Sequence, residues 1–270
     1  MFIRKMAKLN NILACPYCKS ELHLLETKIL CSRCKERYDY TKSGSMDLKL
    51  QKPKSYHYEF TLETPLLPES GFDFQILQKA VIPEVDFSKF DIPKHLTEEI
   101  LSHFPIAKTD NSRMLDIGCG SMVNKNVCEY AGYEYIGLDY KSDEASILGD
   151  AHALPFKDES FDFILSIAVL EPFHENSYYH HTHLGVYNSL HEGGFKIISI
   201  NPHNKYSVLT AQASMGLFPK MPSFLSKLII FPLEILHKIW WLFGSLISNK
   251  ATEVIRIRNT VGAFTFIAKK

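Results

Sequence analysis

Short apolar runs recur along the second half of the chain, and several stop abruptly at a glycine or an acid. "RMLDIG" (113–118), "YEYIGLDY" (133–140), "ASILGDA" (145–151), "FDFILSIAV" (161–169) and "GFKIISI" (194–200) are rich in β-branched and aromatic residues. That pattern predicts strands, and the stretches between them suit helices or connecting loops. Strands interleaved in this way predict a parallel α/β sheet with ligands at the carboxyl ends of the strands. "GAFTFIAKK" (262–270) is a last strand candidate. Upstream, "HLTEEILSHF" places Leu96, Ile100 and Phe104 at helical spacing. Alternating runs such as "ELHLLETKIL" within 11–50 predict a small β module.

Composition sharpens the boundaries. Prolines 53, 65, 68, 83, 93 and 105 crowd the segment between the β module and the first α/β strand. The expected organisation is therefore a module over 1–50, a connector with short helices over 51–111, and an α/β domain over 112–270. A hydrophobic fraction of 46% and a charged fraction of 22% are those of a globular protein and exclude global disorder. Net charge is zero overall, but Met1–Lys52 carries +6, Pro53–His203 carries −13 and Asn204–Lys270 carries +7. Basic ends attract anionic partners, whether nucleic acid or lipid, and the acidic middle repels them. The first residues lack the apolar stretch of a secretory signal, so the expected location is the cytoplasm.

Cys15-x2-Cys18 and Cys31-x2-Cys34 are separated by twelve residues. Two tight thiolate pairs match the tetrahedral coordination of a closed structural zinc site, and the spacing predicts a zinc ribbon. Redox CxxC motifs are the alternative, although paired cysteines in a reducing compartment more often hold metal. A block this small cannot bury much core, so a bound metal would supply a large share of its folding energy.

At the end of the first α/β strand stand Asp116, Gly118 and Gly120, with Cys119 between the glycines. Glycines there permit a sharp turn and close ligand approach. The next strand ends in Asp139, nineteen residues after Gly120, where an acid can accept bonds from ribose hydroxyls. The third strand ends in Asp150, within reach of an adenine amino group. A nicotinamide-binding domain is the alternative, but it requires a third, pyrophosphate-binding glycine where this chain has Ser121 and Met122.

"MLDIGCG", "YIGLDY", "GDAHALPFKDESFDFILSIAVLE" and "LHEGGFKIISI" resemble consecutive motifs of class I S-adenosylmethionine-dependent methyltransferases of the small-molecule "type 11" kind, over about 112–201. The resemblance implies a Rossmann-like seven-stranded sheet with helices on both faces, here preceded by the small β zinc ribbon. It implies that Asp116, Gly118, Cys119 and Gly120 cradle the methionine part of S-adenosylmethionine. Asp139 would hold the ribose with Tyr140 beside the adenine, Asp150 and Ala151 would meet the adenine, and Ser166–Glu171 would line the pocket near the methyl. The sequence departs from the family at Met122, near a usual glycine, and at Pro172, where relatives often have histidine.

An oxygen acceptor needs a base, and "EPFHENSYYHHTH" offers Glu171 and His174. The segment "FLSKLIIFPLEILHKIWWLFGSLI" is too interrupted by Pro232, Glu234, His237 and Lys238 for a comfortable membrane span. It reads either as a helical cap over the acceptor pocket, in an insertion at about 205–250, or as an interfacial helix on anionic lipid. Enzymes that resemble this chain include some acting on lipid-linked or nucleotide-linked sugars, which implies a small-molecule, glycan or lipid-linked acceptor. Two other functions remain open: ribosomal-RNA methylation with the ribbon as RNA reader, and a non-catalytic zinc-ribbon interaction protein with a degenerate cofactor fold.

Overall fold

The computed structural model describes residues 9–51, 84–88, 90–93, 95–96, 98–167, 186, 190, 193–202, 221–247 and 264–270. The chain divides into two units, Met1–Phe60 with Val81–Leu170, and Thr61–Ala80 with Glu171–Lys270.

The amino-terminal module folds as short antiparallel strands: β1 (Leu22–Leu24), β2 (Ile29–Cys31), β3 (Arg37–Tyr40) and β4 (Met46–Asp47). The alternation read in the sequence has its expected cause, since Leu22, Ile29, Cys31, Tyr38 and Met46 turn inward. After the short helix α1 (Glu98–Ser102) comes the parallel part, β5 (Arg113–Ile117), α2 (Lys125–Tyr130), β6 (Glu134–Asp139), β7 (Ile147–Leu148) and β8 (Phe163–Ser166). Met114, Leu115, Ile136 and Leu138 are almost fully buried at the centre of this sheet. The continuous apolar runs of β5 and β6 are what a parallel strand covered on both faces requires.

The module and the parallel strands are one sheet. Its order is β1-β2-β3-β4-β7-β6-β5-β8, and β4 lies parallel to β7 with Met46 opposite Ile147 and Asp47 opposite Leu148. Their interiors are continuous too: Leu13, Cys15, Ile29, Tyr38 and Leu48 share one buried cluster with Leu115, Ile136, Leu138, Ile147 and Phe156. The connector also contributes to the interior. Val85, Phe87, Leu96 and Phe104 pack with Met114, Val127, Tyr133 and Leu165 on the other face. Phe104 stands edge-on to Phe87 at 5.5 Å and to Phe163 at 5.2 Å, contacts that aromatic quadrupoles favour.

In the second unit, β9 (Lys196–Pro202) pairs antiparallel with β10 (Phe264–Lys269). A 25-residue helix, α3 (Ser223–Ile247), runs through Pro232 without ending. This helix lies within the stretch of about 205–250 where the sequence predicts an apolar helical segment. Ser226 and Ile230, one turn apart, are buried, while Phe224, Leu228, Phe231, Leu236, Trp240 and Phe243 are exposed. No described helix is long and apolar enough to cross a membrane.

Candidate cofactor and metal sites

The turn after β5 is built from left-handed backbone. Gly118 has φ 73°, Gly120 φ 51° and Met122 φ 55°. Glycine takes this conformation without strain; methionine there costs roughly 1–2 kcal/mol. Met122 thus adopts the very backbone shape that a further glycine would have supplied. Its side chain is half-buried against the Phe104–Val127 cluster, which offsets part of that cost.

The loop's amides point inward, into the protein. Gly118 and Cys119 both donate to the Leu138 carbonyl, at 2.8 and 3.1 Å, and Met122 donates to the Cys119 carbonyl at 2.8 Å. Gly120 donates to Asp139 Oδ2 at 3.0 Å. Asp139 Oδ1 accepts from the amides of Lys141 and Ser142 at 2.8 and 2.9 Å. Partial burial alone would raise this carboxyl, but the amides of Lys141, Ser142, Gly120 and Tyr140 outweigh it and hold the group below the usual aspartate range. Asp139 is therefore an anion at neutral pH, pinned at the carboxyl end of β6 and tied directly to the glycine turn.

Asp116 is nearly inaccessible. Its Oδ2 accepts from the Tyr135 hydroxyl at 2.7 Å and from Asn124 Nδ2 at 3.1 Å, and Asn124 Oδ1 meets His95 Nε2 at 2.7 Å. Asn124 occupies the N-cap of α2 yet makes no capping bond, because its side chain is turned toward Asp116. Burial raises the Asp116 pKa, and the bonds from Tyr135 and Asn124 only partly oppose it. Two donors fill the lone pairs of Oδ2, so any contact between Asp116 and a cofactor falls to Oδ1. Cys119 points back under the loop, and burial with the nearby Asp116 and Asp139 charges pushes its thiol up to about 12. A Cβ on Gly137 would lie 2.8 Å from the Cys119 sulfur, so β6 needs glycine where the thiol packs.

Asp150 caps the short turn Ala151–Ala153, accepting from the His152 amide at 2.9 Å and meeting His152 Nδ1 at 2.8 Å. Ala151 is exposed beside it. Tyr140 is also exposed, and Lys49 Nζ stands 5.6 Å from its ring centroid. Ser166 ends β8 next to Ile117 in register and is exposed. Glu171 and His174 lie outside the described residues.

Residues 115–198 match the family model described as a methyltransferase domain. The matched methyltransferase segment covers less than half of the chain and holds the glycine turn, Asp139, Asp150 and Ser166. Comparison with curated proteins finds no match. The methyltransferase match supports methyl transfer in general, and the mostly parallel sheet accords with it.

Outside the matched methyltransferase segment, the sulfurs of Cys15, Cys18, Cys31 and Cys34 all lie within 4.8 Å of one another. Cys15 and Cys34 are 3.6 Å apart, and Cys18 and Cys31 3.4 Å, near the roughly 3.8 Å edge of a tetrahedron with 2.3 Å zinc–sulfur bonds. Both knuckles turn alike, each followed by a lysine in left-handed backbone, Lys19 (φ 61°) and Lys35 (φ 62°). The Cys15 amide is fixed by the Ser20 carbonyl and the Cys31 amide by the Glu36 carbonyl, at 2.8 and 3.0 Å. The donor set and spacing fit a divalent metal. The buried Tyr38 hydroxyl lies 3.3 Å from the Cys15 sulfur, placed to donate a hydrogen bond that would dampen thiolate charge. None of the six cysteines is joined in a disulfide.

Sequence reading finds the acids at strand ends but not Tyr135, Asn124, His95, Gly137 or Tyr38. A tyrosine hydroxyl inside the buried run of β6 signals that some polar partner must exist, without naming it.

Proposed function

We infer that this chain transfers a methyl group from S-adenosylmethionine to an oxygen of a small-molecule, glycan or lipid-linked acceptor. The inward commitment of the Gly118, Cys119 and Gly120 amides carries this reading. A pyrophosphate-binding turn presents such amides outward to the ligand; here they brace the loop against β6. What remains is a close backbone approach beside an ionised Asp139, which suits the cofactor's amino-acid tail and ribose and not a dinucleotide. Asp150 and Ala151 follow at the next strand end, and we assign the adenine contact to them.

The bound cofactor supplies an activated methyl on a sulfonium centre. The chain's own task is to align an acceptor, exclude water and remove a proton. Ser166 lines the end of β8, and Glu171 or His174 just beyond is the proposed base. Four thiolates leave no open coordination position, so zinc in the ribbon is proposed as structural.

The helix α3 supports an acceptor at a lipid surface. Ser226 and Ile230 are turned inward, and the broad apolar face bearing Phe224, Leu228, Phe231 and Trp240 is exposed. The carboxyl-terminal stretch carries a net charge of +7, complementary to anionic headgroups. Both features support a proposed site of action at the periphery of a membrane. An RNA acceptor is less favoured, because Pro53–His203, which includes the cofactor strands, carries −13.

Calorimetry with S-adenosylmethionine tests the core of the reading: saturable heat is expected, and Asp139→Ala should weaken binding at least tenfold. No heat from the metal-loaded wild type sinks both methyltransferase readings and leaves the interaction-protein alternative. Radiolabelled methyl transfer into cell extract, partitioned into lipid, glycan, small-molecule and RNA fractions, then identifies the acceptor. Flotation with anionic vesicles, reduced by Trp240→Ser, tests the membrane contact, and neutral vesicles should bind less.

A further inference from the structure

The ribbon grips the loop between β7 and β8 from several directions, and that loop carries Asp150 and Ala151. Just before the first knuckle, Leu13 bridges Phe156 in antiparallel fashion, with the Ala14 amide donating to the Pro155 carbonyl at 3.0 Å and the Lys157 amide to the Ile12 carbonyl at 2.8 Å. From inside the knuckle, the Lys19 ammonium donates to the Leu154 carbonyl. At the loop's other end, β4 pairs with β7 and the Leu48 amide donates to the Leu148 carbonyl at 2.8 Å, two residues before Asp150. The Ser45 hydroxyl donates to the Ala145 carbonyl at 2.7 Å, and Lys49 stands over the Tyr140 ring. Within the α/β part, the loop's ends are fixed by the Gly149 amide to the Asp139 carbonyl and the Asp162 amide to the Arg113 carbonyl, and the ribbon holds the stretch between them at Leu154–Lys157.

We propose that the four-cysteine ribbon is a strut for the adenine side of the cofactor site, so that metal occupancy and cofactor affinity are thermodynamically linked. Cys15 is the pivot. It is followed by the knuckle that holds Lys19, preceded by the Leu13 bridge, and buried in the same cluster as Phe156 and Ile147. Without a metal, no bond ties Cys15 and Cys18 to the second knuckle, so the segment 11–19, which holds 154–157, is itself less firmly held. Lys19 acts here as a positioning residue through the Leu154 carbonyl and Lys49 through the Tyr140 ring, neither on the substrate. Linkage is reciprocal: if metal favours cofactor binding, bound cofactor must slow metal loss by the same coupling.

The cofactor half of this inference rests on the functional reading above; the strut half does not. The test is hydrogen–deuterium exchange on the full chain without cofactor, metal-loaded and after zinc withdrawal by a strong chelator. Exchange over 148–156 is expected to rise at least threefold while β5 stays protected. A double variant, Lys19→Met with Lys49→Ala, leaves the thiols and the core intact. It should keep one zinc per chain, show the same local rise, and bind S-adenosylhomocysteine at least threefold more weakly. Should zinc withdrawal open β5 as much as the loop, the double variant decides. Unchanged exchange over 148–156 in that variant overturns the strut. Loop exchange that rises with cofactor affinity unchanged overturns the linkage. Absence of any binding by the metal-loaded wild type instead overturns the functional reading, and exchange still judges the strut.

Discussion

Asp116 shows how burial can set one ionisable side chain against the stability of the fold. Its folded pKa is raised, mainly by burial, so the native state holds that proton more tightly than the unfolded chain does. Stability is then greatest below the unfolded value of about 3.9 and falls as pH rises from there through the folded pKa. Asp116→Asn keeps an oxygen for Tyr135 and Asn124 and removes the buried charge. It should raise the melting temperature at neutral pH, by about 2–4 °C for each kcal/mol recovered, while weakening cofactor binding. The two melting curves should converge near pH 4; a variant that melts lower at pH 7 refutes the account. Gly137 offers a second test at this scale. Gly137→Ala forces a Cβ to 2.8 Å from the Cys119 sulfur and 3.1 Å from its Cβ. Overpacking of that kind costs about 1–3 kcal/mol, and adding Cys119→Ala should restore part of it in chemical denaturation. The strand-end acids are legible in sequence because each sits at the end of an apolar run. Tyr135 and Gly137 are not, because their partners are 19 and 18 residues away and meet only when β5 and β6 lie in register.

Among the elements, β5, β6 and β10 fall where periodicity puts them. β7 shrinks to two residues of "ASILGDA", and Asp150 follows in the turn Ala151–Ala153. Periodicity marks apolar faces; it does not say how many residues keep a hydrogen-bonding neighbour. The helix α3 was legible as helical, but which side it turns inward was not, since a wide apolar arc suits either a core or a lipid surface. Ser226 is informative here. It is buried, and among the described residues its hydroxyl has no hydrogen-bond partner. A buried hydroxyl left unsatisfied costs about 1–3 kcal/mol, so Ser226→Ala should leave thermal stability unchanged or higher. A clear loss would show that the hydroxyl is bonded in solution.

On the scale of the molecule, the ribbon is not an appendage. Its β4 occupies the edge of the parallel sheet, and its Leu13, Ile29 and Leu48 complete a core with Leu138, Ile147 and Phe156. A chain beginning at residue 51 should therefore expose the β7 edge and that apolar surface, and unfold without a cooperative transition or aggregate. Recovery of a soluble, cooperatively melting fragment would contradict this. The cysteine spacing made the four-sulfur cluster legible, whereas the docking of the module on β7 was not. Pairing between strands a hundred residues apart leaves no mark in local alternation, and both Met46 and Ile147 read simply as apolar.

That pairing also fixes an order of events during synthesis. Ser45 and Ala145, bonded in the finished protein, are 100 residues apart. At about 5–20 residues per second on the ribosome, the ribbon emerges some 5–20 seconds before the strand it will hold. Throughout that interval β4 lacks its β7 neighbour, while both cysteine pairs are already made. A metal taken up early, were the proposed site to bind one, would turn the strands β1–β4 into a template on which β7 docks as it is made. The rate at which the cell supplies the ion would then set how often the nascent sheet closes correctly.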